Sequence, residues 1–326
     1  MQPEAIISTI TLAVMNGEHD FGGHGTPAWN RVYTWLNDEI RPDILLLQEA
    51  THARKDGRRG FYAAKNKLGM NGFLAEASTL ESPNPPAVLV RPSKLTIVAE
   101  YPQLTNWWHP AAQGRVTRAG HSGGPELSLA SVHLCCHSPT YRLGEAELAI
   151  RWGKTGQQLE DPNDPNSRRL LTTDPCIIGG DFNSYSSSPH ELAPLPDLVN
   201  IADKHHTVHR TLPDRTTPDT RPWDTLTTAG YTDLALHAYL ALKQAGAMSG
   251  TSHRRTDQGA DPALGQQSSR IDFGFANGAI PKSLISADVI TDPMRDTDHK
   301  LLLYVFDEES FWDSVEETVR PRPAAA

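Results

Sequence analysis

The sequence predicts an α/β fold in which β-sheets stack on one another and helices cover their outer faces. Two observations lead to this prediction: many short apolar segments have strand composition, and a few segments with helical spacing lie between them. No linker-like stretch separates two cores, so we predict one domain spanning residues 1–310. Residues 311–326, which end in VRPRPAAA, are predicted to be a flexible tail.

The predicted strands share a short apolar run that finishes at a polar residue or a turn. They cover residues 5–16, 44–47, 86–92, 94–101, 126–137, 176–183, 269–277 and 298–307. The run at 44–47 is wholly apolar, as expected of a strand buried on both faces. The segments at 86–92 and 94–101 are close in sequence and are expected to pair as a hairpin.

Two segments are predicted to be helices. Residues 28–40 place apolar side chains at helical spacing, and Pro42 follows. Residues 140–160 have helical composition and are stopped by the sequence DPNDPN. Residues 203–225 and 244–268 are rich in turn-forming and polar residues, so we predict long surface loops there, of the kind that bind substrates.

Composition excludes several kinds of protein. The net charge of −9 argues against a sequence-independent nucleic-acid coat protein, which would be basic. No apolar run approaches the ~20 residues of a membrane span, and the start of the chain reads as a strand and not as a signal peptide. Three cysteines do not suggest a disulfide framework. We therefore expect a cytoplasmic protein; the sequence indicates no protein partner.

Polar side chains recur where the predicted strands end. Acids, amides and imidazoles stand at the edge of an apolar run or within an alternating one: Asn16, Glu49, His133, Asp181, Asn183, Asp272, Asp298 and His299. Strands that run in compatible directions bring their ends to one edge of a sheet, where α/β proteins bind ligands. We therefore expect these side chains to converge on one site.

The chemistry of this set points to phosphoester hydrolysis. Oxygen-rich, thiolate-poor surroundings suit a hard cation such as Mg²⁺ or Mn²⁺, for which Glu49 is the natural ligand beside Asn16. An imidazole held by a carboxylate can take a proton from water or accept charge from a transition state. Amides and a second imidazole can stabilise charge that builds on a phosphate. Metal, base and donors together favour a phosphoester hydrolase.

Four motifs stand in the order used by the endonuclease/exonuclease/phosphatase superfamily. They are LLLQEA, IIGGDFNS, SRIDFGFAN and DTDHKLLLYV, and the chain resembles this superfamily from residue 6 to about 307. Each motif alone fits a plain turn or a solvated strand end, whereas the ordered set on predicted strands is specific. The resemblance implies a four-layer α/β sandwich with two packed mixed sheets and an active site along one edge.

The resemblance also implies catalytic roles. Asp181 would orient the nucleophilic water, Asn183 would hold the phosphate, and Asp298 would buttress His299. His133 matches the histidine of deoxyribonuclease-like members, and Asp272 matches the acid of the RID motif. Thr297 replaces the serine that usually precedes Asp298 and keeps its hydroxyl.

Metal and phosphate ligands follow from the same resemblance. Asn16 and Glu49 match the superfamily's amide and metal-binding glutamate, and Glu18 stands where some apurinic-site endonucleases have a metal-assisting acid. Arg115 is a candidate phosphate ligand together with Asn183 and His133. The implied cofactor is Mg²⁺ or Mn²⁺.

The substrate remains open among phosphoesters. The position two residues after Asn183 is Tyr185, where inositol phosphatases have arginine, and no Trp-Cys-Asp-Arg segment is present. His133 favours a deoxyribonuclease-like phosphodiesterase, so we predict a nuclease acting on DNA or RNA. The alternatives are a phosphatase or a lipid or small-molecule phosphodiesterase, and then a non-catalytic binding domain on the same fold.

Overall fold

The structure is a computed structural model of the chain. It describes residues 8–76, 84–121, 123–153, 174–195, 210–214, 216–252, 268–291 and 296–319, and the backbone alone of residues 158–161 and 164–170. None of the helices in these ranges is long and apolar enough to cross a membrane.

Strands account for most of the regular structure. Their bounds are β1 Thr9–Asn16, β2 Ile44–Gln48, β3 Asn71–Leu74, β4 Ala87–Val90, β5 Leu95–Glu100, β6 Ala112–Arg118, β7 Leu127–His133, β8 Gln158–Asp161, β9 Asp164–Leu170, β10 Cys176–Asp181, β11 Tyr231–Asp233, β12 Asp272–Asn277, β13 Leu284–Ile290 and β14 Leu301–Asp307. The α-helices are α1 Pro27–Trp35, α2 Lys55–Leu68, α3 Pro139–Ala149, α4 Arg221–Thr228, α5 Leu234–Leu242 and α6 Glu308–Val319.

The strands form two mixed six-stranded sheets. The first has the order β13-β14-β1-β2-β4-β3 and the second the order β11-β12-β10-β7-β6-β5, while β8 and β9 pair separately. In each large sheet the central pair is parallel, β1 with β2 and β10 with β7, and the other pairs are antiparallel. The two parallel pairs therefore place four strand ends where a site can form.

Side chains alternate between two cores along each central strand. In β1, Leu12 and Val14 belong to the core between the sheets, whereas Ala13 and Met15 pack with residues of α1 and α2. In β10, Ile177 faces the other sheet, and Ile178 packs with residues of α3 and α4. Both faces are thus covered, which explains the apolar strands and confirms the predicted four-layer α/β sandwich.

Two sequence predictions about strands and helices need correction. The 86–92 and 94–101 segments do not form a hairpin, because β4 pairs with β2 and β3 in the first sheet while β5 pairs with β6 in the second. The predicted helix at 140–160 is shorter: α3 ends at Ala149, a 3₁₀ turn follows, and residues 158–161 are strand β8. Composition alone did not reveal that β4 and β5 belong to different sheets, or that β8 pairs with β9 outside the two large sheets.

The C-terminal region also differs from the prediction. Residues 311–319 belong to helix α6, whose Phe311, Trp312 and Val315 are buried against the core. Their helical spacing places these three side chains on one face, so burial of that face holds the helix. Of the predicted flexible tail, residues 320–326 lie outside the described part of the chain.

Two glycines let β10 lie close to its neighbours just before the site. A Cβ atom at Gly179 would stand 2.8 Å from both Val14 Cγ2 and Leu46 Cδ1 of the facing sheet. Gly180 has φ +155°, and a Cβ atom there would lie 1.8 Å from the carbonyl oxygen of Val132. The two glycines before Asp181 therefore allow the close packing of β10 that places Asp181 at the edge of the sheet.

Replacing Gly180 by alanine should destabilise the protein by about 2–3 kcal/mol, because the backbone of β7 must move away from the new methyl group. The measurement is the free energy of unfolding in urea. Gly144→Ala is the matched control: it lies in α3 with open space around it, and the change should stabilise by about 0.5–1 kcal/mol. Equal effects of the two substitutions would contradict this account of Gly180.

Candidate active site

Apart from Arg115, the predicted site residues meet at one end of the seam between the two sheets. Asn16, His133 and Asp181 end β1, β7 and β10, and each continues the row of side chains that faces the opposite sheet. Asp272 begins β12 directly opposite Asp181 in the antiparallel pairing. The apolar seam thus becomes polar at its end, as the sequence predicted for a shared rim.

Asp181 is the centre of this group. Its Oδ2 atom accepts a hydrogen bond from Asn16 Nδ2 at 3.2 Å and lies 3.6 Å from His133 Nε2 and 3.7 Å from His299 Nε2. Its Oδ1 atom accepts the backbone N–H of Asn183 at 2.7 Å. Two imidazoles and an amide therefore converge on one buried carboxylate.

His299 is oriented by Asp272, and not by Asp298 as predicted. Nδ1 of His299 lies 2.8 Å from Asp272 Oδ2, whereas Asp298 Oδ1 is 3.7 Å from His299 Nε2 and its side chain is 40% exposed. Asp272 in turn starts a strand beside Asp181, so its position is set by strand pairing. Asp298 instead lies near the other ring nitrogen, at a distance longer than a hydrogen bond.

Glu49 lies beside Asn16 at the opening of the site. Its Oε1 atom accepts a long hydrogen bond from Asn16 Nδ2 at 3.4 Å, and its Oε2 atom accepts the backbone N–H of His19 at 3.0 Å. Glu49 has φ +56°, a conformation that non-glycine residues seldom adopt and that recurs at functional sites. This turn directs the carboxylate that follows β2 toward the cleft.

Glu18 makes a different contact from the one predicted. Its Oε2 atom accepts the backbone N–H of Asp298 at 3.0 Å, and the hydroxyl of Thr297 donates to the carbonyl oxygen of Asn16 at 2.9 Å. These bonds join the end of β1 and the loop that follows it to the segment before β14. Glu18 therefore supports the loop that presents His299.

Arg210 is the arginine of the site, and sequence reasoning missed it. Its Nη2 and Nε atoms donate to Asn183 Oδ1 at 2.9 and 3.2 Å, while Asn183 Nδ2 donates to the carbonyl oxygen of Leu134 at 3.0 Å. The amide of Asn183 is thus engaged by the protein at both ends and holds Arg210. Arg210 lies in a loop region with no periodic pattern, so no local signal could have identified it.

Arg115, the arginine predicted to bind phosphate, lies elsewhere. It pairs with Asp174 at 2.9 Å and with Glu126 at 3.1 Å. On β6 it stands opposite Ser128, five residues before the strand end at His133, which is about 17 Å along a strand. Strand register, which the sequence alone did not specify, places it away from the cluster.

Burial and charge set the ionisation of the cluster. Burial alone would raise the pKa of Asp181, but His299, His133 and Arg210 outweigh it and lower the pKa below its usual value. Burial would lower the pKa of His299, but the carboxylates of Asp272 and Asp298 raise it well above the ordinary value. Near neutral pH an ionised Asp181 therefore faces a protonated His299.

The donor set fits a hard divalent cation. Asp181, Asp272 and His299 form a group whose potential ligand atoms all lie within 4.8 Å of one another, although the protonated form of His299 can only donate hydrogen bonds. The two acids supply oxygen, and Glu49 adds a carboxylate whose side chain is 14% exposed and so reaches solvent. The described residues of the cluster contain no thiolate, a composition that favours Mg²⁺ or Mn²⁺ over a softer ion.

Sequence reasoning also missed His109, which forms a stacked pair with His133. The ring of His109 stacks on that of His133, with centroids 4.3 Å apart and an interplanar angle of 9°. Burial, together with His133 and His137, lowers the pKa of His109 to about 2, so its ring is neutral. The signal in the sequence was the dipeptide Trp108-His109, which carries no recognisable spacing to His133.

Comparisons with known proteins give structural matches only. No protein-family model matches the chain, and no curated protein matches it. The structure of an AP endonuclease from Archaeoglobus fulgidus superposes with a TM-score of 0.58 at 16% sequence identity, covering 91% of this chain and 99% of that chain. An endonuclease/exonuclease/phosphatase from Bacteroides vulgatus gives 0.56 at 14% identity, covering 91% and 98%. The 3′ phosphatase NExo from Neisseria, bound to a product DNA hairpin, gives 0.56 at 15% identity, covering 91% and 99%.

Proposed function

We propose that this chain is a divalent-metal-dependent phosphodiester hydrolase, with nucleic acid as the favoured substrate. The basis for this is its fold, which is that of the endonuclease/exonuclease/phosphatase superfamily. The observation that supports this most is the cluster around Asp181, in which His133, His299 and Asn16 all stand within 3.7 Å of one carboxylate oxygen. Such a cluster offers a carboxylate that can accept a hydrogen bond from a water molecule, and beside it donors that can bind the oxygens of a phosphate.

Hydrolysis needs a group that accepts a proton and a group that donates one. Water adds to phosphorus and loses a proton, while the ester oxygen leaves and gains one. The lowered pKa of Asp181 keeps it ionised near neutral pH, so that it can orient the water and accept its proton, and the raised pKa of His299 keeps it protonated, so that it can donate a proton to the leaving ester oxygen. Asp272 fixes which nitrogen of His299 faces the substrate.

The remaining polar groups would bind the phosphate. Arg210 and His133 flank Asp181 and can neutralise charge as it builds on the phosphoryl oxygens. A divalent cation held by Glu49 and Asn16 would add Lewis-acid stabilisation of the same oxygens. Burial of the cluster strengthens each of these electrostatic interactions relative to water.

The direct test is hydrolysis of bis(p-nitrophenyl) phosphate and of plasmid DNA. Turnover is expected with Mg²⁺ or Mn²⁺, should stop on addition of EDTA, and should return when the metal is restored in excess. Activity that persists unchanged in EDTA would contradict the metal requirement. No turnover of any member of a panel of nucleic-acid, lipid and small phosphoesters would contradict the proposed function.

Arg210→Met is expected to lower kcat/KM about 10- to 100-fold, because a charge-assisted hydrogen bond of about 1.5–3 kcal/mol to the phosphate is lost. Steady-state kinetics on the phosphodiester that wild type turns over best give the measurement. Arg115→Met removes the same charge from the middle of β6, about 17 Å along the strands from His133, and should leave kcat/KM of the folded protein unchanged. The reverse order of effects would restore Arg115 as the phosphate ligand.

The net negative charge of the chain supports a second candidate substrate class, that of small or terminal phosphoesters. Binding to duplex DNA rests on neutralising many phosphates, and this chain has a net charge of −9. A single phosphate of a small or terminal ester needs only the local cations of the site. A phosphatase or a small-molecule phosphodiesterase would therefore turn over the small esters of the panel faster than plasmid DNA.

A further inference from the structure

The two imidazoles of the site are held in different ways. The Nδ1–H group of His299 donates a hydrogen bond to Asp272, which is a common way of fixing the orientation of an imidazole. His133 is also buried, with 3% of its surface exposed, yet its Nδ1 atom has no hydrogen-bond partner among the described residues. Some other feature must hold the ring of His133 so that its Nε2 atom faces Asp181.

The stacked ring of His109 is one such feature. The two rings are nearly parallel at a centroid distance of 4.3 Å, so rotation of His133 about its side-chain bonds is blocked on that face. His109 is itself 3% exposed and its ring is neutral, so the stack adds no second positive charge to the cluster. The orientation of His133 thus depends on where His109 lies.

One carboxylate holds the segments that contain both rings. Glu145 of α3 is fully buried; its Oε1 atom accepts the backbone N–H of Trp108 and its Oε2 atom accepts that of Cys135, both at 2.6 Å. Trp108 immediately precedes His109, and Cys135 follows His133 by two residues. Glu145 therefore sets the spacing between the two histidine segments.

Arg142, one turn earlier on α3, completes this contact. Its Nη1 atom donates to the carbonyl oxygen of Cys135 at 2.8 Å, and its Nη2 atom donates to Asp219 Oδ2 at 2.9 Å. Cys135 is therefore bonded to α3 through both its N–H and its carbonyl group. The anchor is rigid because all of these groups are buried and hydrogen-bonded.

We propose that Glu145 is a positioning residue for the reaction, which orients His133 by joining its segment to that of the stacked His109. This inference rests on the proposed hydrolytic function, in which His133 binds the phosphate. Burial raises the pKa of Glu145 to about 7 against the opposing effect of its two backbone hydrogen bonds and Arg142. A carboxylate kept in the protein interior despite that burial is consistent with a specific role.

Glu145→Gln keeps the size of the side chain but turns an amide NH₂ toward one of the two backbone donors. The variant should lower kcat about 10- to 100-fold with KM nearly unchanged, as for other supporting residues of catalytic groups. Glu147→Gln is the matched control: it makes the same charge change at an exposed position of the same helix and should have no effect. His109→Ala, which removes the stacked ring without touching Glu145, should lower kcat in the same way.

A double-mutant cycle separates positioning from general damage. In the His133→Ala background, Glu145→Gln should cost no further activity, because the ring that it orients is gone. A second loss of the same size in that background would overturn the proposal.

An NMR measurement tests the inference without relying on activity. The ring resonances of His133, assigned by their disappearance in His133→Ala, should be shifted upfield by the face of His109 and should lose this shift in both Glu145→Gln and His109→Ala. Unchanged His133 resonances in Glu145→Gln would overturn the proposal even if the enzyme is active. Conversely, a wild-type protein that hydrolyses no phosphoester would refute the proposed function, while the NMR result would still decide whether Glu145 orients His133.

Discussion

Replacing His299 by alanine is expected to reduce kcat for a phosphodiester by about 10²- to 10⁴-fold, the usual contribution of a positioned proton donor or acceptor. The imidazole is held by Asp272 at 2.8 Å, stands 3.7 Å from Asp181 and has a raised pKa, so it is both oriented and charged near neutral pH. No other described imidazole of the cluster is hydrogen-bonded to a carboxylate in this way.

The measurement is kcat with a saturating phosphodiester in Mg²⁺ or Mn²⁺. His121→Ala removes an exposed histidine whose Nδ1 atom lies 3.1 Å from the backbone carbonyl oxygen of Ala119, and its kcat should equal that of wild type. Asp272→Asn should lower kcat in the same direction, and the double variant should lose little more than His299→Ala alone, because the two residues act as a unit. A His299→Ala enzyme with wild-type kcat would exclude the proposed mechanism.

Replacing Arg270 by methionine is expected to destabilise the protein by about 3–5 kcal/mol, as happens when one partner of a buried ion pair is removed. Arg270 is 3% exposed and pairs with Asp233 at 2.8 Å and with Glu191 at 2.7 Å. Asp233 also accepts a hydrogen bond from Trp223 and caps the start of α5. Without Arg270, the carboxylate of Asp233 would remain buried and uncompensated.

The free energy of unfolding, measured in urea with the slope checked for constancy, tests this prediction. Lys282→Met breaks an ion pair with Glu317 in which both side chains are more than 60% exposed, and should change stability by less than about 0.5 kcal/mol. A similarly small effect at Arg270 would mean that Asp233 is stabilised by its other donors.

Much of the fold could be predicted from the sequence because strand composition is local. Apolar runs such as 44–47 and the sequence before Asp181 mark strands buried on both faces, and the structure places them at the centres of the two sheets. The convergence of Asn16, His133 and Asp181 could also be anticipated, since each ends such a strand. Local patterning therefore determined which side chains the central strands present at the rim.

Tertiary structure decided what those side chains contact. The partner of His299 is Asp272 because β12 pairs with β10, and Arg115 is remote because the register of β6 against β7 places it there. Arg210 reaches the site from a loop with no periodic pattern. Strand order, register and loop path depend on contacts between residues far apart in the chain, whereas hydrophobic periodicity reports only the burial of each segment's own faces.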